Sequence, residues 1–185
     1  NMNFRIEGGR KLSGRIKIKT SKNSAVGLLC ASLLNKNRTI LKQMPRIGEV
    51  YRIIEILQSI GVSVRWREND LEIVPPKKFS LTRLNREAAT KTRSVLMFLG
   101  PLIHFFPKFT LPHPGGCKLG RRTVGPHLFA LEKLGVSIKT SHDDYHVAAR
   151  KIKPSEIVLY ESGDTVTENA LMAAARIPGA TVIKF

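Results

Sequence analysis

The segment from Ile54 to Val64, IEILQSIGVSV, recurs from Leu128 to Ile138 as LFALEKLGVSI. Each copy reads as an amphipathic helix, a glycine at its end (Gly61, Gly135) and a β-branched strand. A fold for this chain must therefore hold one supersecondary unit at least twice, at a period of roughly 70 residues. A second element recurs in step. Ser21-Lys22-Asn23 opens an apolar helix expected to run through Leu34. Thr92-Arg93-Ser94 opens another through about Phe106, and Thr167-Glu168-Asn169 a third through about Arg176. The expected hairpins pair Val62–Arg67 with Asp70–Val74 across Glu68-Asn69, and Val136–Thr140 with Tyr145–Ala149 across Ser141–Asp144. One unit then runs strand, apolar helix, strand, amphipathic helix, hairpin. The class is α/β (α+β), built from βαβαββ units with parallel central helices and outer mixed sheets. Two complete units fit and the third is incomplete, so the chain is expected to be truncated.

The first helix of each unit is apolar nearly all round, as in GLLCASLL and SVLMFLGPL. Such helices belong at the centre, with amphipathic helices and sheets outside them. If the three run parallel, their starts gather at one end, where unpaired N–H groups and positive dipole ends make an anion site. Lys22, Arg93 and Thr167 are expected there together. Ser21, Ser94 and Thr167 also serve as ordinary caps. Cations at a helix start oppose the dipole, however, so Lys22 and Arg93 point to an anion between them.

The formal net charge of +17 favours an anionic partner, but the lysines and arginines are scattered from Arg5 to Lys153 rather than blocked. The opening NMNFRIEGGRKLSG has no signal-type apolar stretch. The longest apolar run, Val95 to Phe106, falls short of the ~20 residues of a membrane span. Two cysteines, Cys30 and Cys117, suit a reducing cytoplasm.

Chemistry concentrates in LPHPGGCKLGRRTV, Leu111 to Val124. Glycines at 115, 116 and 120 permit close approach of backbone to a ligand. Cys117 stands beside Lys118 and near Arg121 and Arg122, an electropositive setting that lowers a thiol's pKa and suits a nucleophile or proton donor. Cys30, inside an apolar helix, reads as packing. His104 reads as a satisfied core residue, and His127 as a weak candidate for ligand contact. His142, Asp143, Asp144 and His146 have metal-ligand types but sit at a hairpin turn, so zinc is disfavoured. No metal and no cofactor are expected.

The motifs Ser21-Lys22-Asn23-Ser24-Ala25, Arg93 with Leu99-Gly100-Pro101-Leu102, Pro114-Gly115-Gly116-Cys117-Lys118-Leu119-Gly120-Arg121-Arg122, His127 and Thr167-Glu168-Asn169-Ala170-Leu171-Met172 occur in one order. In that order they resemble UDP-N-acetylglucosamine 1-carboxyvinyltransferase, an enolpyruvyl transferase. The resemblance covers nearly the whole chain. It implies two similar domains, each a pseudo-threefold assembly of the repeat, with ligands in the cleft between them. Residues 1–20 would be strands packing with the second domain, and residues 21–185 the first domain, with the second domain absent.

The implied reaction transfers enolpyruvate from phosphoenolpyruvate to the 3-hydroxyl of UDP-N-acetylglucosamine, the first committed step of peptidoglycan precursor synthesis. By motif, Lys22 and Cys117 are the implied catalytic residues. Lys22 and Asn23 would bind phosphoenolpyruvate and Arg122 its phosphate. Arg93 and the stretch Arg122, Thr123, Val124, Gly125 and Pro126 would border the nucleotide-sugar, with Gly163, Asp164 and Thr165 near the uridine. Cys117 would protonate the enolpyruvyl methylene and be the target of fosfomycin. Positive character grows at C2 as C3 is protonated, so an acid and a phosphate clamp are both needed.

Thr123 and Gly125 replace the family's usual Pro and Asp, and Glu161–Val166 replaces a run of small residues. The family's second domain supplies the base for the sugar hydroxyl, so the chain alone is expected not to turn over. Exposed N-terminal strands would permit a homodimer. Two other readings carry weight. One is the sister enzyme 3-phosphoshikimate 1-carboxyvinyltransferase, which typically lacks the cysteine. The other is a basic, non-enzymatic RNA- or phosphate-binding module, against which the thiol argues.

Overall fold

The computed structural model describes residues 3–18, 20–114 and 124–185. In the first unit, α1 (Lys22–Ala31) continues as a 3-10 turn, Ser32–Leu34, and is followed by β1 (Thr39–Leu41), α2 (Gly48–Ser59), β2 (Ser63–Arg67) and β3 (Asp70–Val74). In the second, a short α3 (Arg86–Thr90) precedes a 3-10 stretch, Arg93–Phe98, that passes into α4 (Leu99–Leu102). After it come β4 (Lys108–Pro112), α5 (Gly125–Lys133), β5 (Ser137–Thr140) and β6 (Asp144–Ala148). The third comprises β7 (Glu156–Val158), α6 (Asp164–Ala174) and β8 (Val182–Lys184).

The repeat survives in the topology. The first two units each form an antiparallel three-stranded sheet with the hairpin's second strand in the middle, in the orders β1-β3-β2 and β4-β6-β5. Strands β7 and β8 pair in parallel around α6. Register follows the expected hairpins: Arg67 faces Asp70 at one turn, with Glu68 at φ 55°, and Thr140 faces Tyr145 at the other.

Both amphipathic helices end in the same way. Gly61 and Gly135 adopt φ of 102° and 89°, which brings the Val62 N–H to the Leu57 carbonyl and the Val136 N–H to the Leu131 carbonyl. This is the Schellman closure, open to glycine because a Cβ is penalised at positive φ. It sends the chain straight into the hairpin.

Helix α1, the stretch from Arg93 to Leu102, and α6 pack on one another at the centre. Leu29, Cys30, Val95 to Leu99, Ala170 and Ala173 are buried between them and the outer layer. Helix α2 turns Val50, Ile53, Ile54, Ile56 and Leu57 inward, each worth about 1.5–3 kcal/mol of removed apolar surface.

The second central helix does not run unbroken from Thr92 to about Phe106. Its N-terminal half is 3-10, and the α-helical part is only four residues long. The cause lies in α6. The carboxamide of Asn169 accepts from the Gly100 N–H at 2.8 Å and donates to the Leu96 carbonyl at 3.0 Å. Those two groups would otherwise bond to each other, so Asn169 is inserted into one i→i−4 link. Pro101, with no N–H, removes the next link.

Helix α6 begins at Asp164 rather than Thr167, with Gly163 as its N-cap. Asp164 supplies the acidic first-turn residue that a helix start favours. No strand forms among residues 3–18. They are exposed, and Ile16 and Ile18 lack a neighbouring strand to complete a ladder. Thr20 anchors the approach to α1 through a 2.8 Å hydrogen bond to the Gln43 carbonyl.

Candidate functional site

The starts of α1 and α6 face a common hollow of about 530 Å³, onto which Ser21, Asn23, Ser24, Asp164, Thr167 and Glu168 open. Ser21, in extended conformation, caps α1 by accepting from the Ser24 N–H at 3.3 Å. Thr167 is not a cap; its hydroxyl donates back to the Gly163 carbonyl at 3.0 Å. Lys22 is exposed at the first turn of α1 and makes no described hydrogen bond or ion pair. Thr165 occupies the first turn of α6 beside Asp164.

Glu168 was not singled out as a site residue, yet it shapes this wall. A Cβ at Gly27 would lie 2.8 Å from its Oε2, so the glycine makes room for the carboxylate between α1 and α6. That oxygen is buried without a hydrogen-bond partner among the described residues. Burial, then the charge of Asp164, pushes the Glu168 carboxyl above its ordinary pKa. The available signal was Gly27 itself, a glycine in the middle of a helix apolar on all sides.

The expected gathering of Lys22, Arg93 and Thr167 is met only in part. Two helix starts share the hollow and Thr167 lines it, but neither Lys22 nor Arg93 is among the described residues of its wall. The start of the second central stretch already holds an anion from within the protein. Thr92 accepts from the Ser94 N–H at 3.1 Å, and the Thr92 and Ser94 hydroxyls both donate to Glu49 Oε1 from the first turn of α2. Glu49 therefore does at this end what a ligand anion was expected to do.

Arg93 instead projects its charge on His127 and Tyr145. His127 lies in the first turn of α5, where Pro126 stands at a position that needs no N–H donor and Val124 precedes the helix. At Gly125 a Cβ would come within 2.9 Å of the Tyr160 hydroxyl. His127 is buried, and Asn169 Nδ2 lies 3.2 Å from its Nδ1. An amide nitrogen can only donate, so Nδ1 accepts and the ring's proton is assigned to Nε2.

Burial, reinforced by Arg93, lowers the His127 pKa from 6.5 to about 4. The unfolded chain then binds a proton that the folded chain refuses. Stability from this group is full above pH 6.5, falls between about 6.5 and 4, and levels off below. The loss is on the order of 3 kcal/mol. Urea denaturation across this range should show a shallower acid slope for His127→Asn than for the unaltered chain.

His113, at the other edge of the cysteine segment, stacks on Tyr145 with centroids 4.1 Å apart. In sequence His113 precedes the cysteine segment and His127 follows it, and the Arg93 charge acts on both His127 and Tyr145. Cys117, Arg121, Arg122 and Thr123 lie outside the described residues.

The remaining candidates separate cleanly. Cys30 is fully buried, and burial with the nearby Glu168 pushes its thiol far up. His104 is half-buried just beyond α4, with Nε2 3.3 Å from the Met172 carbonyl and a pKa lowered by burial. At the hairpin turn, His142 pairs with Asp143 at 2.8 Å, His146 contacts the Ser141 hydroxyl at 3.1 Å, and Asp144 binds Arg86 at 2.8 Å. These four groups are thus divided among three separate contacts. Among the described residues no helix is long and apolar enough to cross a membrane.

The profile of the EPSP synthase (3-phosphoshikimate 1-carboxyvinyltransferase) family matches residues 6–185. UDP-N-acetylglucosamine 1-carboxyvinyltransferase of Bradyrhizobium diazoefficiens is 33% identical over 179 residues, covering 97% of this chain and 41% of that protein. The same-named protein of Treponema denticola is 33% identical over 178 residues, covering 96% and 42%. Among solved structures, the enolpyruvyl transferase NikO from Streptomyces tendae superposes with a TM-score of 0.76 at 18% identity, covering 95% of this chain and 42% of its own. EPSP synthase from Acinetobacter baumannii gives 0.66 at 15% identity, covering 92% and 40%. The chain therefore spans about two fifths of the length of the relatives it matches.

Proposed function

We propose, for a chain that belongs to the EPSP synthase (3-phosphoshikimate 1-carboxyvinyltransferase) family, that the reaction it serves is transfer of enolpyruvate from phosphoenolpyruvate to the 3-hydroxyl of UDP-N-acetylglucosamine. The observation that carries this choice of acceptor is the shared name of the relatives matched across nearly all of the chain. The Pro-Gly-Gly-Cys motif at 114–117 supports it. On this reading the product feeds peptidoglycan synthesis in the cytoplasm, and through it cell shape and division.

Cys117 delivers a proton to the enolpyruvyl methylene as cationic character develops at the adjacent carbon. Lys22 and Arg122 neutralise the phosphate, Asn23 orients it from the first turn of α1, and Arg93 with the 122–126 stretch borders the nucleotide-sugar. Gly163, Asp164 and Thr165 stand where the uridine would approach. Asp164 and Glu168 disfavour phosphate against the start of α6, so the sugar-nucleotide's charges are met by Arg93 and the cysteine segment instead. The base for the sugar hydroxyl is not among these residues; on this reading it comes from the second domain that the family resemblance implies.

Two measurements test the reading. UDP-N-acetylglucosamine at about 100 times its Kd should stabilise the protein by about 2.7 kcal/mol in a melting experiment. Shikimate 3-phosphate should not. Stabilisation by shikimate 3-phosphate alone would move the assignment to the sister enzyme. Fosfomycin should add one equivalent of mass to the peptide carrying Cys117 and none to that carrying Cys30, whose thiol is held protonated by burial. An unmodified Cys117 under conditions that alkylate a reference relative would remove the proton donor from the mechanism.

A further inference from the structure

Helix α6 runs 11 residues, roughly 16 Å, from the hollow at Asp164 toward Arg176. There, at the far ends of α1 and α6, lies a groove of about 520 Å³. Its floor is apolar and largely aromatic, with Leu33, Leu34, Phe79, Phe105 and Phe106. The Phe79 and Phe105 rings meet at 4.5 Å, and the Arg176 guanidinium sits 5.3 Å from the Phe105 centroid. Lys36, Lys77, Lys78 and Arg176 edge the groove, and among the described residues no Asp or Glu lines it. None of the four takes part in a salt bridge with a described residue.

Part of this has an ordinary cause. A cation just beyond a helix end offsets the negative pole, which suffices for Arg176 after α6 and Lys36 after the Ser32–Leu34 turn. Lysine stems also cover apolar floors. The helix-end account does not extend to Lys77 and Lys78, and covering the floor leaves their ammonium charges unmatched. They arrive from the β3–α3 connection behind Pro75 and Pro76, where no helix ends. Three separate chain segments thus bring four positive groups around one aromatic floor, with no Asp or Glu among the described residues that line it.

We propose that this groove is a binding site, separate from the transferase site, for a small organic anion with a planar apolar body. The ring system lies against Phe79, Phe105 and Phe106, and its acidic group meets Lys77, Lys78 or Arg176. The volume is that of small-ligand pockets, about 300–1,000 Å³. A polymeric phosphate chain would use the rim and leave the apolar floor wet, so nucleic acid is disfavoured.

The test uses naphthalene-1-sulfonate as probe, followed by amide NMR of the whole chain. Saturable shifts centred on Leu34, Lys77, Phe79 and Phe105 are expected. They should persist when UDP-N-acetylglucosamine and phosphoenolpyruvate are added together. Uncharged naphthalene-1-methanol should bind at least about tenfold more weakly. The double variant Lys77→Ser, Lys78→Ser should weaken the sulfonate by about tenfold with an unchanged melting temperature, since both side chains are exposed. Equal binding of the uncharged probe, indifference to the double variant, or shifts at the starts of α1 and α6 instead would each overturn the proposal. Displacement of the probe by a single-stranded RNA oligonucleotide binding more tightly would overturn it in favour of nucleic acid. None of these readouts depends on transferase activity.

Discussion

Asn169→Leu should destabilise the protein by about 3–5 kcal/mol in chemical denaturation, more than any surface change in the chain. The substitution keeps the number and branching of side-chain heavy atoms, so no cavity is left. What it removes is a set of three contacts at a fully buried point: the Gly100 N–H, the Leu96 carbonyl and the Nδ1 of His127. The Leu96 carbonyl keeps the Leu99 N–H, so the groups left unpaired are the Gly100 N–H and His127 Nδ1, at about 1–3 kcal/mol each. Asn169→Asp is a sharper version, because it keeps the acceptor for Gly100 but faces the Leu96 carbonyl with an oxygen. Burial would raise that carboxyl's pKa in the folded state, so the variant should lose stability as pH climbs through the ordinary carboxylate range. Gly100→Ala should fail for the same reason from the other side, as its Cβ would lie 2.5 Å from both the Asn169 carbonyl and its Oδ1. A loss below about 1 kcal/mol for Asn169→Leu would mean that Leu96 and Gly100 simply bond to each other and the stretch rewinds.

The second large effect separates two glycines that do the same backbone work. Gly61→Ala and Gly135→Ala both place a Cβ at positive φ, which costs about 1 kcal/mol. At Gly61 the new methyl would meet only the Pro76 ring at 3.4 Å. At Gly135 it would meet the Lys151 carbonyl oxygen at 2.6 Å, and backbone cannot swing aside as a side-chain tip does. Gly135→Ala should therefore cost about 3 kcal/mol or more, against about 1 for Gly61→Ala. Equal losses at the two positions would show that φ alone decides, and that the 150–152 segment yields.

What could be read in advance follows the range of the forces. Both hairpins and both amphipathic helices are set by residues a few positions apart, and the recurring Gly-Val-Ser step announces their ends. The break in the second central helix is not local: Asn169 reaches it from 69 positions further along the chain. No periodicity in SVLMFLGPL reports that insertion. Glu49 escaped notice for a similar reason. It looks like an ordinary first-turn acid until the fold carries it to Thr92 and Ser94. Lys22, Arg93 and Thr167 were legible as helix-start residues, and the assumption of three parallel helices joined them around a common anion. Thr167 lines a hollow with its own carboxylates, Arg93 acts on a histidine and a tyrosine, and Lys22 is exposed beside neither.

Glu49 also bears on how such a chain can be recombined. The units look like interchangeable cassettes, and a cut in the stretch joining β3 to α3 appears the natural place to graft one relative's unit onto another's. Yet that cut parts Glu49 from the two hydroxyls it holds, and the Ser59 hydroxyl from the Asn85 N–H it accepts at 3.0 Å. A graft that ignores these threads leaves an acid without donors and a helix start without its counter-charge. Hybrids of this architecture should be assembled from units that carry matching partners at 49, 92 and 94, however similar their hairpins are.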